Sequence, residues 1–412
     1  MAWGVFSAGG FWYSWRMPPL PLRSLLVTLC LAAPAAASAP PPFSPAAQAL
    51  IDRAFSGLDP ARPVVDVHVH AIGLGQDGDG TSVHPEKLSP RHPMKRLGTN
   101  LYLKATGVKG LAHFDRDYLD ILAARARAFP KPVRIHLLAM DRAYHPDGTP
   151  DPERTEFHVP NDYVLEAAAR YPDNFVPVAS IHPARQDAIQ ELERCAAKGV
   201  RLLKWLPNAQ AIDPADPRYD AFYRRMKELG VVLLTHAGEE KAVAVKGAQA
   251  LGNPLRLRRP LDLGVTVIVA HCASLGRNAD LDHPGRTAAN FDLFLRLLDD
   301  PKYQDHLFGD LSAITQVNRL PRPLRTLLAR DLGARLLNGS DYPLPGVDLV
   351  VWTRGLVQLK LITPAERKAL NEIWKANPLL FDFVLKRTLR DPRTGRRFAA
   401  TVFQRDPVAL SG

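Results

Sequence analysis

Eight short runs of β-branched and Leu residues recur along this chain, each too apolar to be half exposed, with helical patterns between them. They are Val64 to His70, Val133 to Asp141, Phe175 to Pro183, Val200 to Pro207, Val231 to Gly238, Val265 to Ser274, His306 to Thr315, and Leu336 to Pro345. Strands of this kind are buried on both faces, as in a parallel sheet covered by helices. Amphipathic patterns at Asp115 to Phe129, Asp162 to Tyr171, Ala188 to Lys198, Pro217 to Leu229 and Ala288 to Leu298 supply the helices. Eight strands alternating with helices predict an α/β chain closed as a (β/α)8 TIM barrel, a single domain over residues 40–390. A doubly wound open sheet is the alternative, but no Gly-rich phosphate turn follows any of the runs. The longest interval follows the first strand, where Gly73 to Gly110 is rich in Gly, Pro, His and Lys without regular apolar spacing. A loop of that length above a barrel strand predicts a lid or substrate-binding insertion. Residues 365–388 read as one closing helix, and 391–412 as a loosely packed tail.

Composition narrows the function classes. The formal charge is +11, with Arg16 and Arg23 the only charged residues in the first 39. The basic residues are scattered singly, apart from Arg256-Leu257-Arg258-Arg259, and lack the interleaved aromatics of a nucleic-acid surface, so no nucleic-acid partner is expected. Residues 1–39 read as a signal peptide, with Arg23 in the n-region, an apolar stretch from Leu25 to Ala36 and small residues at Ala35, Ala37 and Ala39; Met17 is a candidate true start. Export to a periplasm or secretion follows, without stable membrane insertion once the leader is removed. Beyond the leader only Cys195 and Cys272 remain, two small buried thiols that make no disulfide framework.

The chemistry lies where the strands end. Asp66-Val67-His68-Val69-His70 closes the first run, and strand alternation places His68 and His70 on one face roughly 7 Å apart at Cα, with Asp66 beside them. With 13 His in 412 residues, chance alone yields about 0.4 such His-x-His pairs, so the pair needs company. That company is Lys204 on strand four, His236 ending strand five, His271 ending strand six and Asp341 ending strand eight. The carboxyl ends of barrel strands surround the active site. Any one of these residues alone reads as a hydrogen-bonded core group. Four imidazoles, a carboxylate and an ammonium around one rim are costly to bury unless an ion or one another compensates, and the donor set suits Zn²⁺ or a related divalent ion. Asp141, His182 and Asp310, also at strand ends, are candidates for substrate contact or for structural roles.

The chain resembles the amidohydrolase superfamily, specifically the amidohydrolase-related group that also contains metal-dependent decarboxylases. The likeness runs from residue 64 to about 383. It is carried by Asp-Val-His-Val-His at 66–70, Leu-Lys-Trp-Leu-Pro-Asn-Ala-Gln at 203–210, Thr-His-Ala-Gly at 235–238, Ala-His-Cys at 270–272, Gly-Ser-Asp-Tyr-Pro at 339–343 and Asn377-Pro378-Leu379-Leu380-Phe381. The resemblance implies that His68, His70, His236 and Asp341 hold a divalent metal. It makes His271 either a ligand of a second ion or a hydrogen-bonding group toward substrate. Lys204 resembles the lysine that members of the superfamily carboxylate to bridge two metals, giving one ion without that modification and two with it; a Lys there can equally bind a substrate carboxylate as a point charge. Asp66 reads as a hydrogen-bonding support and not as a ligand. The implied activity is hydrolysis of an amide, ester or lactone in a small molecule, with Asp341 moving the proton and His271 polarising the carbonyl or protonating the departing atom. Decarboxylation of an aromatic or unsaturated acid is the second expectation, and a ligand-binding barrel without catalysis the third. Whether the chain forms a homo-oligomer is left open.

Overall fold

A parallel arc begins with β1 (Val64–His70), β2 (Val133–Leu138) and β3 (Phe175–Val178), paired in that order. A second arc pairs β4 (Leu202–Trp205), β5 (Val232–His236), β6 (Val267–Ala270), β7 (Leu307–Asp310) and β8 (Leu336–Leu337), again all parallel. Parallel bridges Ala179↔Leu203 and Val69↔Tyr342 join the two arcs at both seams, so the sheet closes on itself as the expected barrel. The structure, a computed structural model, describes residues 43–410 apart from 242, 244–246 and 349. The proposed leader therefore lies outside the described residues.

Helices α1 (Pro45–Phe55), α2 (Pro93–Thr106), α3 (Phe114–Arg127), α4 (Asn161–Arg170), α5 (Ala188–Ala197), α6 (Asp220–Glu228), α7 (Asn290–Leu298) and α8 (Arg322–Ala329) accompany the strands. Each barrel helix buries one stripe. In α5 that stripe is Ala188, Leu192, Cys195 and Ala196, a helical spacing that tucks Cys195 inward; Cys195 and Cys272 are both free and buried.

Four expectations of the fold need correction. The observed strands are shorter than the apolar runs, because the last residues of most runs leave the ladder and turn into the mouth of the barrel. Within the interval 73–110, α2 forms where no regular spacing was read: Pro93 presets its first turn, and Gly107 (φ 86°) takes the left-handed position that ends it. The closing helix is two helices, α9 (Pro364–Ala376) and α10 (Pro378–Thr388). Asn377 is extended before Pro378, and its Oδ1 accepts from the Leu379 and Leu380 amides at 3.1 and 3.2 Å, so it ends one helix and caps the next.

The tail is not loose. Val402 and Phe403 are buried, and the Val402 carbonyl accepts from Asn338 N at 3.0 Å. The Gln404 amide donates to the Asp59 and Arg62 carbonyls at 2.9 and 2.8 Å. Leu410 packs against the barrel interior formed by Val65, Val67, Leu202, Val232, Ile268 and Leu337, among others. The tail thus covers the end of the barrel opposite the strand carboxyl ends, where fold stability and not chemistry is served.

Candidate active site

β1 does not keep simple alternation. Val65 and Val67 belong to the interior cluster, so Asp66 between them faces outward, and a register shift between Asp66 and Val69 changes the phase of the strand. That irregularity brings His68 and His70 to the mouth, their ring centroids 5.2 Å apart. It also corrects the expectation that Asp66 shares their face. The Asp66 Oδ1 instead accepts from the backbone N of His68 (3.1 Å) and of Ser340 (2.9 Å), tying β1 to the end of β8. Burial raises the Asp66 carboxyl to about 6, against Ser340 and Lys386, which lower it. Lys386 of α10 donates to the Gly339 carbonyl and to Asp382, each at 2.5 Å, anchoring the same turn from behind. Gly339 itself is required by closeness: a Cβ there would stand 2.7 Å from the His68 Cβ.

His68, His70 and Asp341 each offer one ligand atom, and these atoms all lie within 4.8 Å of one another. The Asp341 Oδ1 is 3.1 Å from His70 Nε2 and 3.5 Å from His68 Nε2. Asp341 adopts a left-handed backbone (φ 62°), which Asp tolerates, and its N donates to the His68 carbonyl at 2.8 Å. Behind them stands Asp310. It accepts from His68 Nδ1 (2.8 Å), from the backbone N of His271 (2.8 Å) and of Ser312 (2.9 Å), and from the Ser312 hydroxyl. Donation through Nδ1 leaves His68 Nε2 with its lone pair, the tautomer a metal ligand needs, and that lone pair faces Lys204 Nζ at 3.1 Å.

His271 stacks on His68 at 5.0 Å, and its Nδ1 lies 3.1 Å from the Ser312 carbonyl and 2.7 Å from the Ser312 Oγ. The Ser312 hydroxyl proton is directed to Asp310, so His271 donates through Nδ1 and its Nε2 also carries a lone pair. A neutral His271 in this tautomer donates through Nδ1 to the Ser312 carbonyl and keeps Nε2 free to accept a proton or bind an ion. His236 falls outside the 4.8 Å grouping among the described residues. Its ring is 5.3 Å from that of His271, its Nδ1 is 3.6 Å from a Glu240 carboxylate oxygen, and its Nε2 is buried without a hydrogen-bond partner.

Electrostatics keep these groups in ligand form. Burial, aided by the Lys204 charge, lowers His68 to about 4, and burial lowers His236 to about 4 and His271 well below the usual imidazole range. Burial opposes ionisation of Asp341, but the surrounding His271, His70 and His68 outweigh it and hold the carboxyl well below its ordinary range. Lys204 is pushed down to about 8 by burial, against Asp310, Asp341 and Glu240.

The other strand-end candidates are spoken for. Asp141 accepts from His182 N at 2.8 Å and from Arg185 at 3.1 Å, while the two His182 ring nitrogens meet the Gln210 carbonyl (2.9 Å) and Ala184 N (3.1 Å). Three groups at the site carried no sequence signal of their own: Ser312, Glu240, and the buried Arg319, whose Nη1 donates to Ser274 Oγ at 2.9 Å. Ser312 follows Asp310 by two residues and so shares its side of the turn, the one hint available in sequence.

A family description termed amidohydrolase matches residues 65–370. Among solved structures, the chain is similar to an uncharacterised TIM-barrel protein from Bordetella bronchiseptica (17% identity, 78% of this chain and 99% of that one, TM-score 0.46). It is also similar to a probable 2-pyrone-4,6-dicarboxylic acid hydrolase from Acinetobacter baumannii (14%, 77% and 95%, 0.44) and to 5-carboxyvanillate decarboxylase from Sphingomonas paucimobilis (11%, 75% and 96%, 0.40). No curated protein sequence matched.

Proposed function

We propose that this chain, which belongs to the amidohydrolase family, is a metal-dependent hydrolase that cleaves an amide, ester or lactone in a small molecule. The carrying observation is the group His68, His70 and Asp341, three ligand atoms of the right types within 4.8 Å. Two further features fit an ion: His68 is fixed by Asp310 in the tautomer that frees Nε2, and the buried Nε2 of His236 has no partner. His68, His70, His236 and Asp341 would hold it, with Zn²⁺ the best match to nitrogen-rich donors.

Held by these residues, a divalent ion would supply water of lowered pKa, roughly 7, and a Lewis acid for a carbonyl. Asp341, held ionised, takes the proton of the attacking water and later returns it to the leaving group. His271, neutral with Nε2 free and stacked on His68, is a second acceptor. Arg319 and Lys204 add positive charge to the wall of the site. A neutral Lys204 amine is the form that reacts with CO₂, so a carboxylated Lys204 and a second ion belong to this reading as its two-metal variant.

Metal analysis of the purified protein, coupled to an activity screen over lactones, amides, esters and aromatic acids, tests the proposal. We expect bound divalent metal, loss of activity on chelation and loss of metal retention in His236→Ala; normal metal content in that variant refutes the site as drawn. One ion per chain removes the carbamate bridge at Lys204. Release of CO₂ from an acid without uptake of water moves the assignment to decarboxylation. Export to the periplasm, read from residues 1–39, is a separate proposal, checked by N-terminal sequencing of protein recovered from that compartment.

A further inference from the structure

The insertion after β1 carries an outward face that no described residue covers. Met94 (78% exposed), Leu97 (53%) and Leu101 (47%) line one side of α2 at helical spacing, and Leu88 and Leu111 flank them, also exposed. Of the nine large hydrophobic residues exposed among the described residues, these are five. Between residues 88 and 111 the chain also holds Arg91, Lys95, Arg96, Lys104 and Lys109 and no Asp or Glu. Of these five cations, among the described residues, Lys95 alone is in an ion pair, with Glu86 at 2.6 Å.

We propose that this face of α2 docks on an anionic lipid bilayer. An apolar stripe on a helix rich in Lys and Arg is the pattern of an element lying in the headgroup region, its side chains in the acyl boundary and its cations on lipid phosphates. Charge complementarity selects this occupant over a second copy of the chain: a two-fold contact sets the same patch against itself and would oppose one cluster of cations to another. The contact is peripheral, since no helix among the described residues is long and apolar enough to cross a membrane.

The face is coupled to the site by position. Tyr342, next to Asp341, donates from its hydroxyl to the Thr106 carbonyl at 3.0 Å, and Gly346 approaches so closely that a Cβ there would stand 2.5 Å from the Ala105 carbonyl oxygen. The C-terminal end of α2 thus rests on the turn that carries Asp341. Docking by α2 would hold the barrel mouth toward the bilayer, suited to an amphiphilic substrate. The proposal stands whichever reaction the site performs.

The test uses the full chain and vesicles of phosphatidylcholine alone or mixed with phosphatidylglycerol. In a Cys30→Ser, Leu97→Cys background the thiol at 97 takes an environment-sensitive fluorophore, because Cys195 and Cys272 are buried. We expect a blue shift on the mixed vesicles, reversed by salt and absent on phosphatidylcholine alone. Cosedimentation of the chain carrying Met94→Glu, Leu97→Glu and Leu101→Glu should fall about ten-fold or more. The leader is the same in both proteins, and the label decides the matter if the triple variant misfolds. No emission shift at 97, or undiminished sedimentation of a folded triple variant, overturns the proposal. So does a wild-type dimer that the triple variant splits, which would give the face to a second copy.

Discussion

Asp310 illustrates how much one buried residue can decide. A single carboxylate receives the His68 ring, the His271 backbone and both groups of Ser312, so three strand ends are positioned by one buried charge. His68 and His271, with the Ser312 hydroxyl, outweigh burial and keep it ionised, its carboxyl far below the usual range. Asp310→Asn keeps the shape but offers an amide where His68 Nδ1 needs an acceptor, weakening control of the tautomer. We expect a 10–100-fold loss of metal affinity with the fold retained, measured by competition with a chelating dye. Unchanged affinity would mean that Asp310 is structural only.

At the scale of elements, boundaries are set by local hydrogen bonds. Asn377 caps α10 and interrupts what would otherwise be one long helix, and Asn377→Ala should lower stability by about 0.5–2 kcal/mol in denaturant unfolding. The loop entering α7 is pinned by charge: Arg296 donates to Asp280 at 2.7 and 2.8 Å and to Asp282 at 2.7 Å, and Arg258 pairs with Asp282. These bonds hold Asp280 below its ordinary range and Asp282 at about 2. A carboxyl depressed by folding contributes stability that is present above its unfolded pKa and lost as pH falls through the folded one. The melting-temperature gap between wild type and Arg296→Met should therefore be full at neutral pH and narrow from about pH 4 down to 2. A gap independent of pH would remove the ion pairs as its cause.

Over the whole molecule the barrel has two ends with different duties. The strand carboxyl ends gather the polar groups, and the tail seals the other end, with Phe403 fully buried against Phe383 at 5.5 Å between ring centroids. Phe403→Ala should cost about 3–5 kcal/mol in denaturant unfolding and leave metal content unchanged, because the substitution sits beneath the barrel and not in its mouth. Loss of metal in a still-folded variant would show that the two ends are coupled.

Sequence alone determined the alternation of strand and helix, the closure into eight, and the family, since runs such as Val231 to Gly238 bury both faces whatever surrounds them. It also singled out His68, His70, His236, His271 and Asp341 as candidates, because polar residues that end apolar runs stand out one by one. What it could not contain was phase and tautomer. The register shift in β1 that parts His68 and His70 from the face of Asp66, the Asp310 and Ser312 contacts that decide which nitrogen of His68 and His271 is free, and the arrival of Glu240 and Arg319 all arise from chain segments far apart in sequence. The packed tail was illegible for a related reason: its few apolar residues gain a partner only once the barrel has closed above them. Periodicity is a local property, whereas the direction of a hydrogen bond depends on which groups the closed barrel brings within reach.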